Sequence, residues 1–247
     1  MPEYFNIRYE FSPTVIWRRI EEQIRLDETG YVCVADGNIL QMVHRNAAYR
    51  DTVDGSMFSI CDSSWVPLFL RWLYGMKVRQ YCGSQIFEDA VRARKYRMFF
   101  MGTSAEVLNA LRKNLAERYD GRIASMQFHE LPYREVEDFD YPAIGSMVNA
   151  DKPDIIWVAL GAPKQEIFMS MLKPYIKKGV MIAVGAVFKF HSGVSEKRAP
   201  RWMTDCHLEF LYRLTREPRK QFRRCGMIVR TLPAILYEEY KKKENKK

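Results

Sequence analysis

The sequence predicts an α/β fold built on a buried, mostly parallel sheet, and three observations lead there. Short runs of apolar, β-branched and aromatic residues recur along the 247 residues. Those runs are continuous rather than alternating, as strands covered on both faces require. Segments of helical period separate them. With 47% hydrophobic and 28% charged residues, the chain can bury a sizeable core.

Taken in order, the apolar runs predict strands at Tyr31–Ala35, Met57–Cys61, Met98–Met101, Ile123–Met126, Ile155–Leu160 and Met181–Val187. Thr103-Ser104-Ala105-Glu106 reads as a capping box opening a helix from Val107 to Arg118, which closes at Asp120-Gly121. Pro163 stands where a helix takes its first residue, and Ile167, Phe168, Met171, Leu172, Tyr175 and Ile176 repeat at helical spacing before Gly179. The stretch from Gly193 to Pro200 reads as a boundary. It divides an α/β core, residues 1–194, from a basic appendage, residues 195–247, with helical patterns around Glu217-Pro218 and Leu232-Pro233.

Charge follows the same division. Residues 197–247 hold 15 Lys/Arg against 6 Asp/Glu, so the whole formal charge of +9 sits there, while the rest carries 24 of each. A phosphate-bearing substrate, an anionic membrane surface or a nucleic acid would each answer such a concentration. Lys241–Lys247 alone reads as a solvated tail. The five cysteines are far apart and odd in number, which suggests neither a zinc site nor a disulfide framework and fits a reducing cytoplasm. No apolar run reaches the ~20 residues that span a bilayer, and the first residues lack a signal-peptide pattern, so a cytoplasmic or peripheral protein is expected.

Two sites stand out chemically. The turn Leu160-Gly161-Ala162-Pro163-Lys164-Gln165-Glu166 joins a strand's C-terminal end to a helix N-terminus, where open α/β sheets bind ligands and free amides favour anions. Gln165 and the backbone could read a phosphate or a sugar hydroxyl there; the plain alternative is a tight turn with Glu166 facing the helix dipole. Asp62 follows a predicted strand and should emerge at the same edge, a position for a general base; the plain alternative is a cap for the helix that Asp62-Ser63-Ser64 introduces. The four histidines show no metal-ligand spacing, and no dinucleotide or P-loop glycine motif occurs. In the basic segment, Arg198, Arg201, Arg213, Arg216, Arg219, Arg223 and Arg224 interleave with Trp202, Phe210, Tyr212 and Phe222, a pattern open to diphosphate, RNA or membrane.

Several ordered motifs narrow this choice. Pro153-Asp154 through Gly161-Ala-Pro-Lys-Gln165-Glu166, then Val184-Gly185-Ala-Val-Phe188, Arg198-Ala-Pro-Arg-Trp202, Leu208-Glu209 with Tyr212-Arg213-Leu214, and Glu217-Pro218-Arg219 together resemble the WecG/TagA/CpsF family of bacterial polysaccharide glycosyltransferases. Weaker similarity runs back through Phe99–Gly102 and Gly83-Ser84 to Asp62. The resemblance implies a Rossmann-like core with a membrane-associating C-terminal appendage at the inner face of the cytoplasmic membrane. It implies inverting, metal-independent transfer, without a cofactor, from a UDP-sugar donor to a polyprenyl-diphosphate-linked sugar acceptor. The site it implies has Asp62, Arg213 and Arg219 in catalysis. Asp36, Gly102, Gly161, Lys164, Gln165, Glu166, Gly185, Lys189, Arg198, Arg223 and Arg224 would surround the substrates. Three positions depart from the family pattern: Val34-Ala35-Asp36 replaces Thr-x-Asn, Ser63 replaces a glycine, and Lys189 replaces an aspartate. A non-catalytic subunit and a basic nucleic-acid-binding protein are the rival readings, the latter needing stacking aromatics on a surface sheet. A homo-oligomer is left open.

Overall fold

The computed structural model describes residues 2–194 and 218–245, with side chains in the last helix described from 226 onward. The chain opens with β1 (Glu3–Tyr4), β2 (Ile7–Glu10) and α1 (Pro13–Arg25), then β3 (Thr29–Ala35), α2 (Gly37–Arg45), α3 (Ala47–Asp54), β4 (Phe58–Cys61), α4 (Trp65–Tyr74) and α5 (Gly83–Ala93). It continues through β5 (Met98–Gly102), α6 (Ala105–Arg118), β6 (Gln127–His129), α7 (Tyr141–Asp151), β7 (Ile155–Ala159), α8 (Lys164–Leu172), β8 (Gly179–Ala183) and α9 (Val187–Ser192), and resumes with α10 (Pro218–Glu244).

The eight strands form one sheet in the order β1-β2-β4-β3-β8-β7-β5-β6, parallel except for the β1–β2 hairpin. Its strands read as unbroken apolar runs because each supplies two cores. Tyr31, Cys33 and Ala35 of β3 face a core built with α2, α3, α4, α7 and α8, whereas Val32 and Val34 face one built with α1, α5, α6 and α9. Ile156 and Val158 of β7 join the first, and Ile155, Trp157 and Ala159 the second. α/β architecture is thus as expected.

Some boundaries differ. The run expected as a strand at Ile123–Met126 is mainly a 3-10 turn, Gly121–Ser125, capped by the Asp120 carboxylate, which accepts from the Arg122 N–H. Ile123 is fully buried all the same, and the strand follows four residues later as a short edge in which Phe128 stacks on Phe100, centroids 4.3 Å apart. The run expected to end at Val187 stops as a strand at Ala183, because the backbone turns at Gly185, φ +53°, and Val187 already opens α9. Ser104, not Thr103, caps α6, and Pro163 sits one residue before α8.

The last helix is one element of 27 residues with Pro233 inside it, rather than two patterns. It packs against α2 and α4. Ile235 joins the first core, and Glu239, 2% exposed, accepts the Phe5 N–H at 2.8 Å and the Tyr74 hydroxyl at 2.7 Å. Lys242 reaches Glu3 and Asn6, and Lys243 donates to the Leu73 carbonyl. Part of the expected tail is therefore docked on the core. The expected boundary at 194/195 and the start of the appendage lie against residues 195–217, which are outside the described residues.

Candidate active site

Strand order places the site. β3 and β8 are neighbours, yet β3 leads into α2 on one face and β8 into α9 on the other, the kind of switch point where open α/β sheets bind ligands in a crevice beyond the strands' C-terminal ends. The ends of β4, β7 and β5 lie along the same edge. Asp36, Asp62, Gly102, Gly161 and Gly185, far apart in sequence, are brought to that edge.

Asp62 follows β4 and is half-buried. Its N–H donates to the Ala35 carbonyl at 3.0 Å, locking it beside the end of β3. Its Oδ1 accepts the Gly83 N–H at 3.0 Å, the first residue of α5, and Gln80 Nε2 donates to its carbonyl at 2.8 Å. The carboxylate thus faces the N-terminus of α5, on the far side of the sheet, and does not cap α4. Ser63 Oγ accepts the Trp65 N–H in that place. A helix N-terminus attracts negative charge, so Asp62 is held in an orienting, charge-favouring contact.

Asp36 caps α2, accepting the N–H groups of Asn38 and Ile39 at 2.9 and 3.0 Å. The helix therefore begins directly at the end of β3. Gly102, at φ +117°, ends β5 so near β7 that a Cβ there would sit 2.6 Å from the Ala159 carbonyl oxygen, a demand only glycine meets.

At the β7–α8 turn, Gln165 is 4% exposed and holds two turns together. Its Oε1 accepts the Gly161 N–H at 3.1 Å and the Gly185 N–H at 3.0 Å, tying the loop after β7 to the loop after β8. Its Nε2 donates to Glu166 Oε1 at 2.8 Å, and Glu166 Oε2 accepts the Tyr49 hydroxyl at 3.1 Å. Glu166 is fully buried, and burial pushes its carboxyl up to about 7 against the help of the Gln165 hydrogen bond. The same burial, with Glu166 beside it, raises the Tyr49 phenol. Nothing in the sequence signalled Tyr49, because its partner lies 117 residues away.

Lys164 turns to the loop after β6, donating to the Arg134 carbonyl and lying 3.9 Å from Glu135. Lys189 lies in α9, part-exposed. Arg198 and Arg213 fall outside the described residues, and of Arg219, Arg223 and Arg224 only the helical backbone is described. Among the described residues no three His, Cys, Asp or Glu side chains gather as a metal site, and Cys33 and Cys61 are buried free thiols. No helix among them is long and apolar enough to cross a membrane.

The profile of the "Glycosyl transferase WecG/TagA/CpsF family" matches residues 5–247. The chain belongs to this family. Similar proteins include one from Bacillus subtilis (strain 168), 28% identical over 199 residues, which cover 79% of this chain and 74% of that one. Another from Bacillus spizizenii (strain ATCC 23059 / NRRL B-14472 / W23) is 25% identical over 213 residues, 85% of this chain and 79% of the other. A third, from Staphylococcus aureus (strain MW2), is 23% identical over 217 residues, 86% and 80% of the two chains. All three are named N-acetylglucosaminyldiphosphoundecaprenol N-acetyl-beta-D-mannosaminyltransferase. The chain is accordingly a glycosyltransferase of cell-envelope polysaccharide synthesis.

Proposed function

We propose that this glycosyltransferase moves an N-acetylmannosamine-type sugar, its uronic acid or a hexose from a UDP-sugar to a polyprenyl-diphosphate-linked sugar, with inversion and without a metal ion. Asp62 carries the proposal: a half-buried carboxylate at the C-terminal edge of the sheet, next to the crevice at β3 and β8, oriented by the Gly83 amide. In a single displacement the Asp62 carboxylate takes the proton of the acceptor hydroxyl. The hydroxyl oxygen then bonds to the anomeric carbon, and the bond to the donor diphosphate breaks with its electron pair leaving on the diphosphate. One base suffices for inversion. A UDP-α-sugar treated this way yields a β-linked product, which agrees with the names of the relatives.

The β7–α8 turn is assigned to the donor. Gln165 acts there by holding the Gly161 and Gly185 backbones in place, with Glu166 and Tyr49 behind it. The arginines of 198–224, Arg213 and Arg219 among them, meet the diphosphate charge as fixed cations. The test is incubation of the full chain with a panel of UDP-sugars and an N-acetylglucosaminyl-diphosphate lipid, with product mass and anomeric configuration measured. A β-linked disaccharide on the lipid is expected. Hydrolysis alone, or an α-linked product, would overturn the reading.

A further inference from the structure

We infer that the outward face of α4 is the surface by which this enzyme lies on an anionic lipid bilayer. α4, Trp-Val-Pro-Leu-Phe-Leu-Arg-Trp-Leu-Tyr, is apolar on two sides. Val66, Leu70 and Leu73 enter the core, and this accounts for one side. On the other, Trp65, Leu68 and Trp72, spaced i, i+3 and i+7 and so forming one stripe, are 56%, 48% and 72% exposed. Two tryptophans and a leucine in one stripe are out of place in water.

Charge selects the occupant. From residue 63 to residue 87 the chain has no acidic residue, while Arg71, Lys77 and Arg79 are exposed beside and just beyond the stripe. Tryptophan and leucine flanked by basic residues match a bilayer interface, where indoles lie at headgroup depth and basic groups meet anionic phosphates. α4 has 10 residues, about 15 Å, so it lies in the interface and does not span it. By contrast, Lys242 and Lys243 near the end of α10 are engaged with Glu3, Asn6 and the Leu73 carbonyl.

The placement also serves the chemistry. α4 begins three residues after Asp62, so a bilayer beneath it brings a lipid-linked sugar to the proposed base. This rests on the reading that the acceptor is lipid-linked, and the experiment separates the two. Full-length protein is sedimented with vesicles of phosphatidylglycerol and phosphatidylcholine, and with phosphatidylcholine alone, in the absence of any substrate. Leu68→Ser/Trp72→Ser, with an unchanged melting temperature, should lower partitioning to the anionic vesicles at least tenfold. Arg71→Glu/Lys77→Glu should lower it on anionic vesicles only. Lipids brominated near the headgroup should quench the fluorescence that Trp72→Phe removes. Both double variants should still glycosylate a short-chain, water-soluble acceptor at the wild-type rate. Failure of the wild type on that acceptor would count against the reaction, not the surface. Unaltered partitioning of Leu68→Ser/Trp72→Ser would overturn the surface, as would a wild-type oligomer that this variant dissociates, which would make α4 a subunit contact.

Discussion

Two turns on one edge of the sheet contain the residues that sequence singled out, and they are built differently. At the end of β7, Gln165 and Glu166 are buried and hydrogen-bonded to Gly161, Gly185 and Tyr49 in a closed chain. At the end of β4, Asp62 is half-buried and its carboxylate accepts the Gly83 amide at a helix N-terminus. A closed network of buried polar groups fixes backbone shape, because each unmade hydrogen bond in it is costly. A half-buried carboxylate at the ligand edge of the sheet is in a position to exchange a proton with a substrate. On the proposed mechanism, the first turn sets geometry and the second does the chemistry.

Asp62→Asn tests that contrast most severely. Asparagine can still accept the Gly83 N–H, so the melting temperature should stay near wild type while transfer falls by roughly 10²–10⁴-fold, the usual contribution of a positioned base. A well-folded variant with near-full turnover would remove Asp62 from the mechanism.

Gln165→Ala should do the opposite in kind. It leaves the Gly161 and Gly185 amides without their acceptor at a part-buried junction, at about 1–3 kcal/mol each. The melting temperature should fall by roughly 5–10 °C, with donor use impaired through the displaced turns. Loss of donor affinity at an unmoved melting temperature would mean that Gln165 reads the donor directly.

Glu166→Gln should act through pH. With the folded carboxyl at about 7 and an ordinary value of 4.5, the native chain keeps a proton through that window after the unfolded chain has lost it. Wild-type stability should therefore decline as pH rises from 4.5 to 7, by something on the order of 3 kcal/mol, and level off above. Glutamine keeps an acceptor for Gln165 and has no proton to lose. Thermal melts from pH 5 to pH 8 should be flatter for the variant; parallel curves would place the titration elsewhere.

Much of the frame was legible because it depends on local period and turn chemistry. Continuous apolar runs marked β3, β4, β5 and β7 to within two residues, since a strand covered on both faces has no polar phase to hide. Asp62 and Gln165 were legible as strand-end residues for the same reason. The β1–β2 hairpin was not, because its turn is Phe5-Asn6, both at positive φ, and carries no glycine signal. At 123–126, buried Ile123 gave a true apolar signal, but burial alone does not separate a turn from a strand. Only the tertiary structure decided what those residues touch. Asp62 meets an amide 21 positions on, Gln165 joins two glycines 24 positions apart, Glu166 meets a tyrosine from α3, and Glu239 docks α10 on the first strand pair. Sequence period determines which face of an element is apolar. The order in which strands assemble determines what covers that face, and among the described residues the second apolar side of α4 stays exposed.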